Sequence, residues 1–324
     1  MRVAGGVLGL LVGLASVASA TTQVHYVMGT FLRVVADDEL PPAAFDECFA
    51  RARALDRTFS RFDPASELTR LNAAAGGPAS PAFRRVLGDA MALSRATGGA
   101  FDVSVGAVTA LWRSPIPPEA AALEAARRTI GRVEVTPDRV ALGTGTQLDF
   151  DGFAKGVAVD ACVAALRAAG VARALVSFGE SSLYGLGAPR GAAAWRLDVR
   201  GAEPDVVVGR LELRDRAAAV SAVFGGAGRR ASARGHVVDP RSATPLTDDA
   251  VSVVVAASAA DAEAWAKAVL VGGHASLAAA EAVGDQQAAR LDRHGVAMGA
   301  AMRAARSLRL FTRPRPLRGE VALR

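Results

Sequence analysis

The chain has 324 residues, 51% of them hydrophobic and 22% charged, with a formal net charge of +6. That length and apolar content bury a substantial core without staples and exclude a disordered chain. The arginines are scattered and only 5% of residues are aromatic. No basic block alternates with stacking rings, so a nucleic-acid-binding function is excluded.

Taken in chain order, Arg2 precedes an apolar run from Val3 to Val17 that closes on Ala18-Ser19-Ala20. A positive start, a short apolar stretch and an A-x-A site predict a secretory signal peptide over residues 1–20. The mature domain then spans 21–324 in the periplasm or another extracytoplasmic space. The run is too short and too glycine-rich to span a bilayer, and no later stretch is long enough, so no stable membrane span is expected. The two cysteines, Cys48 and Cys162, each lie on the apolar stripe of a predicted helix. They read first as buried small hydrophobes, and an oxidising compartment permits a disulfide only if those helices touch.

Residues 24–36 predict a strand pair turning at Gly29, followed by a helix over 42–59. A short helix starts at Ser66, and another runs over 81–97 to the Gly98-Gly99 stop. The apolar stretch 100–112 fits a buried helix or a strand equally well. A short helix follows over 118–130, and "RVEVTPDRVALGTGTQLDFD" reads as two strands. A helix over 154–169 stops at Gly170. "ARALVSFGESSLYGLG" reads as strand, glycine turn, strand, and "WRLDVR" and "VVVGRLELRD" as antiparallel strands with one wet face. "VSVVVAAS" is a more buried strand, followed by helices over 259–272 and 275–283. With no repeat and no composition break, the chain predicts a single α+β domain.

The chemistry concentrates at "LDFDGFAKGVAVD" (148–160), a strand, a glycine turn and a helix start. First-turn N–H groups and the helix dipole favour an anion there, with Lys155 adding a point charge. Neither GxxxxGK[ST] nor GxGxxG is present. Asp149 and Asp151 flank Phe150 and share one strand face, where like charges need a cation, donors or water. The four histidines show no HExxH spacing, which argues against a zinc site. "GHVVDPRSATP" (235–245) places His236, Asp239 and Arg241 around a proline turn, suited to acid–base or phosphate contact or to a plain polar hairpin.

Seven segments together resemble the ApbE-type FAD:protein FMN transferases: "VMGT" (27–30), "SRFDPASELTRLN" (60–72), "TGGAFDVSVGAV" (97–108), "LDFDGFAKGVAVD", "ALVSFGESS" (174–182), "GHVVDPRSATP" and "ADAEAWAKAVLVGG" (260–273). The resemblance implies an α+β fold with mixed or antiparallel sheets and flanking helices. It implies FAD as substrate, and transfer of FMN by a phosphoester bond to a Ser or Thr of an exported acceptor protein with the help of Mg2+. The flavin contacts it implies are Met28, Phe62, Ala100, Phe101, Asp102, Asp149 and Lys155. His236 corresponds to a histidine near the reacting phosphate. The Gly152 carbonyl and Glu263 fall at metal-ligand positions, with Asp261 nearby. Lys267 stands where the family has a ligating threonine, "GESS" replaces a Gly-Gly-Asp/Asn, and "SAVFGGAGRR" (221–230) replaces a Ser-Gly-aromatic motif. Two expectations follow. Either the metal site works in altered form, or the Lys267 ammonium takes the metal's place in an FAD-binding paralogue with weak or no transfer.

Overall fold

A computed structural model describes residues 21–37, 42–200, 206–223, 235–292, 295–305 and 307–316. The expected leader (1–20), His294 and most of "SAVFGGAGRR" lie outside the described residues.

The first hairpin is β1 (Thr21–Val27) and β2 (Thr30–Ala36), turning through Met28 and Gly29, both at positive φ. Next come α1 (Pro42–Phe59), α2 (Glu67–Ala73), β3 (Gly76–Pro78), α3 (Pro81–Ala96), α4 (Gly106–Trp112) and α5 (Ala120–Arg127). Ser66 and Ser80 cap α2 and α3, each hydroxyl accepting the N3 amide. The ambiguous stretch 100–112 resolves into turns followed by the α4 helix. Asp102 accepts bonds from the Ser104 amide and hydroxyl, which curls the chain before a strand can form.

β4 (Val133–Val135) and β5 (Arg139–Leu142) follow, then α6 (Ala154–Ala168), β6 (Ala174–Phe178), β7 (Ser182–Leu186), β8 (Trp195–Arg200), β9 (Val206–Leu213) and β10 (Arg216–Ala222). The short hairpin β11 (Val238–Asp239) and β12 (Thr244–Pro245) leads to β13 (Val251–Ala256) and α7 (Ala259–Ala282). The chain closes with β14 (Gln287–Asp292), β15 (Gly295–Met298), α8 (Ala300–Ala305) and β16 (Leu308–Pro316). The helix stop expected at Gly272-Gly273 is met: Gly273 leaves helical geometry at φ 58° and ψ −134°, and α7 is two helices joined across a kink there.

The main sheet has the order β1-β2-β6-β7-β10-β13-β14-β15, with every strand pair antiparallel. Alternate residues serve its two faces. Val34, Val176, Ala217, Ala219 and Val254 point into a core shared with α1, α6 and α7. Val35, Leu175, Leu183, Ala218, Val253 and Val255 point into a second core beneath the three-stranded sheet β16-β9-β8. The fold is therefore α+β in three layers: helices, large sheet, small sheet. Packing on both faces explains why β6 and β13 are buried throughout, whereas β9 alternates. A third small sheet, β3-β5-β4, belongs to the segment that carries residues 60–153 to one end of the helical layer.

Cys48 and Cys162 sit on α1 and α6, which pack together, and their sulfurs form a disulfide with a Cα–Cα distance of 4.2 Å. The condition set by the sequence, contact between the two helices, is met. Among the described residues, no helix is long and apolar enough to cross a membrane.

α6 and α7 also approach closely. A Cβ added at Gly156 would lie 2.5 Å from the Ala259 carbonyl oxygen, so glycine is needed there. One turn further along α6, Asp160 accepts the Ala259 and Ala260 amides at 2.7 and 2.9 Å, bonding to the α7 N-terminus. Burial pushes this carboxyl up to about 6 despite those bonds, and the neighbouring charge of Asp261 adds to the rise. A carboxyl raised on folding makes the native state bind more protons than the unfolded state between its two pKa values. Stability should then increase as pH falls from about 6 towards 4. Asp160→Asn removes the buried charge but keeps an acceptor for only one of the two amides. At pH 8 these effects oppose each other, and its urea midpoint should lie close to that of the wild type. At pH 4 to 5 the wild type should gain on it by on the order of 2 kcal/mol. A pH-independent difference between the two proteins would refute this role.

Candidate functional site

The ionisable groups singled out in the sequence gather where α6 begins, beside the β6–β7 turn and the first half of α7. Glu263 and Lys267 are one helical turn apart and so share a face of α7. The Glu263 side chain is 1% exposed, and its Oε2 accepts a hydrogen bond from Lys267 Nζ. Lys155 Nζ, arriving from α6, lies 3.8 Å from Glu263 Oε1 and donates to Ser181 Oγ at 2.6 Å. The aliphatic stem of Lys267 runs across Gly152, where an added Cβ would sit 3.0 Å from Lys267 Cε. Thr30, just past the Met28-Gly29 turn, and the stem of Lys155 both close on Gly179.

One carboxylate thus faces two ammonium groups, and the trio carries a net charge of +1. Burial raises the Glu263 carboxyl, but Lys267, Lys155 and the Ser182 hydroxyl more than offset this and hold it below its usual range. Desolvation pulls Lys155 below the usual lysine range, and the charge of Lys267 pulls the same way against that of Glu263. His236 donates its backbone amide to the Val223 carbonyl at 3.1 Å. Desolvation first, then the charges of Lys267 and Lys155, hold its imidazole below the usual range. The residue is nevertheless exposed, so its ring is a base within reach of solvent.

A second polar group lies alongside. Asp149 Oδ2 accepts from Arg113 Nη2 at 2.6 Å and from Thr109 at 2.8 Å, and its Oδ1 takes the Asp151 amide at 3.0 Å. Arg61 donates to Asp151 at 2.5 Å while its guanidinium lies 3.8 Å from the centre of the Phe62 ring. Desolvation and the nearby Asp149 charge raise the Asp151 carboxyl, with Arg61 opposing them. The two aspartates flanking Phe150 are therefore relieved by arginines, one of the resolutions their spacing required. Phe62 is 75% exposed, which leaves a flat aromatic face free beside this cluster.

The other predicted residues fall in different settings. Met28 forms the hairpin turn and donates its amide to Asp56 at 3.2 Å. Ala100 and Phe101 are buried, and the Phe101 ring packs tilted against Phe153 with centroids 5.4 Å apart, so their side chains belong to the core. Asp102 bonds Ser94 and Ser104 and pins the loop after α3. Asp261 is not brought to Glu263. It lies on another side of α7, where its charge bears on Asp89 and Asp160. The amides of Phe153 and Ala154 both donate to the Phe150 carbonyl, so the anion cradle expected at the α6 N-terminus is partly occupied by the chain itself. Asp239 and Arg241 pair within the β11–β12 hairpin, the plain polar alternative.

Sequence reasoning missed Ser181, Arg61, Arg113 and Thr109. Each becomes meaningful only through a partner far along the chain, and no local spacing marks them. A separate groove of about 480 Å³ lies beyond the Gly273 kink, lined by His274, Glu281, Met298 and Arg303 among others, and shares no residue with the cluster.

The donor set does not suit magnesium. A hard dication needs a near-octahedral shell of oxygens and dehydrates reluctantly. Here the space between Gly152 and Glu263 is crossed by a lysine, and both Glu263 oxygens face ammonium groups. Among the described residues, no three His, Cys, Asp or Glu side chains converge on one point.

Comparison with known proteins gives a consistent result. A profile of the ApbE family matches residues 28–302. An FAD:protein FMN transferase of Rhodobacter capsulatus is 30% identical over 80% of this chain, which spans 53% of that protein's length. One of Treponema pallidum is 29% identical, covering 78% of this chain and 79% of its own. Two solved structures share the fold. The flavinyl transferase ApbE of Pseudomonas stutzeri aligns at a TM-score of 0.77 and 24% identity, covering 88% of this chain and 96% of its own. The ApbE protein of Thermotoga maritima aligns at 0.79 and 21%, covering 88% and 99%.

Proposed function

The chain belongs to the ApbE family, and from that premise we propose that it moves the FMN half of FAD onto a Ser or Thr hydroxyl of an exported acceptor protein. The observation that carries this reading is the cluster of Lys155, Lys267 and Glu263 beside His236, a net positive group of side chains at the head of α6. A diphosphate bears charge that such a cluster attracts at short range.

In the proposed reaction, the acceptor oxygen bonds to the phosphorus of the FMN half and the diphosphate P–O bond breaks. AMP leaves with the bridging oxygen. His236, held neutral, is the group in this chain suited to take the hydroxyl proton. Lys155 and Lys267 neutralise charge on the non-bridging and leaving oxygens, the part of the work that positioning and electrostatics perform in phosphoryl transfer. The exposed ring of Phe62, braced by Arg61, offers a stacking face for an aromatic ring system. Since the residues present do not fit a hard dication, no step is assigned to one. Export to an extracytoplasmic space remains part of the proposal and is supported by the leader-like residues 1–20.

The test is incubation of the mature protein with FAD and an acceptor domain bearing an Asp-x-x-Ser/Thr-Gly-Ala-Thr motif, followed by in-gel flavin fluorescence. A fluorescent acceptor band that is lost in His236→Ala is expected. Bound FAD with no labelled acceptor under any condition would favour the alternative, a flavin-binding paralogue without transfer.

A further inference from the structure

We infer that the Lys267 ammonium is a built-in counter-ion that serves in place of a divalent cation, so that this chain holds the diphosphate of its ligand without metal. Three observations converge on it. First, Lys267 is placed rather than loosely exposed. Its Nζ bonds Glu263 Oε2 and its stem lies against Gly152, so the side chain bridges the carboxylate and the glycine turn. Second, the remaining Glu263 oxygen faces Lys155, itself anchored on Ser181. A cation entering here would have to displace the Lys267 ammonium from Oε2, approach an Oε1 that has no hydrogen-bond partner but lies 3.8 Å from Lys155, and complete its shell from hydroxyls and a carbonyl. Third, Asp261, the other carboxylate nearby along the sequence, is two residues before Glu263 and so lies on another side of the helix, and no ion pair joins it to this cluster among the described residues.

The arrangement also explains the acid. Two lysines without Glu263 would repel each other and lose their buried counter-charge. With it, the two ammonium groups share a counter-charge, and the trio still presents one net positive formal charge to a diphosphate. Glu263 is thus a positioning residue for the lysines, whereas Lys267 is a direct contact for the ligand. The inference rests on the flavin reading above only for the identity of that ligand.

The test has two arms. In the first, ligand-free protein is titrated with Mn2+ and followed by electron paramagnetic resonance, a readout that needs neither flavin nor activity. No Mn2+ site tighter than millimolar is expected. One stoichiometric site displaced by Mg2+ would overturn the inference. In the second arm, FAD binding is measured by quenching of its fluorescence in excess EDTA and again in millimolar Mg2+. The two dissociation constants should agree within about threefold. Lys267→Met should weaken binding in EDTA by about tenfold to a hundredfold, the worth of a charge-assisted bond, and Lys267→Arg should restore most of it. FAD binding that vanishes in EDTA and returns with Mg2+ would also overturn the inference. Absence of FAD binding in both media would instead sink the flavin reading, and the Mn2+ arm would still decide the metal question.

Discussion

Glu263→Ala should destabilise the fold by about 3–5 kcal/mol, the cost of removing one partner from a buried ion cluster and leaving its opposite charges unpaired. The Glu263 side chain is 1% exposed, while those of Lys155 and Lys267 are 25% and 19% exposed, so the lysines can turn partly outward and the lower end of that range is expected. A urea midpoint at pH 7 reads the effect. The pH profile carries the same signature. Glu263 is held below its usual range on folding, so its contribution is present above about pH 4.5 and fades as pH falls further. Glu263→Gln keeps the shape and removes the charge. In this account it raises the local charge facing the diphosphate, so FAD affinity should be retained or improved wherever the variant folds. If Glu263 were instead a metal ligand, the same variant should lose FAD affinity in Mg2+.

Reducing the Cys48–Cys162 bond, or replacing both residues with alanine, should cost about 4 kcal/mol. The bridge closes a sequence separation of 114 residues, and long loops forfeit the most chain entropy when they are tied. The melting temperature should then fall by roughly 10 °C. Differential scanning calorimetry with and without reductant reads this directly. An unchanged melting curve would mean that the bond does not form in the folded protein. The link joins α1 to α6, and Lys155 lies in the first turn of α6, so the reduced protein should also hold FAD less tightly.

Much of this architecture is legible in the sequence wherever local chemistry and tertiary context agree. The helix start at Ser66, the hairpin at Gly29 and the alternation of β8 and β9 all place elements close to where they lie. "RAAAVSA" (216–222) is different. Alanine favours a helix, yet this stretch is β10, a central strand whose small residues let both faces pack against other layers. The C-terminal stretch beyond residue 283 carries no motif, and its strands are set by partners already in place: β14 and β15 extend the large sheet, and β16 completes the small one.

At the site, "DGFAKG" advertised an anion cradle, but half of its promise was local. The first amides of α6 turn back on Phe150, and the charge comes from side chains brought by α7. Lys267 was visible as a departure from its family's pattern. Only the fold shows why it is tolerated there: its stem has a glycine to cross and its ammonium has a buried acid to meet. Asp149 and Asp151 similarly raised a question of charge that Arg113 and Arg61, 36 and 90 residues away, resolve.

The central claim is that this chain transfers FMN with its own cations. Intact mass spectrometry of the acceptor domain after incubation with FAD and enzyme in excess EDTA tests it most directly. The account predicts an acceptor heavier by one FMN less one water, with AMP released in equal amount. An acceptor left unmodified in EDTA but labelled once Mg2+ is supplied in excess of the chelator would contradict it.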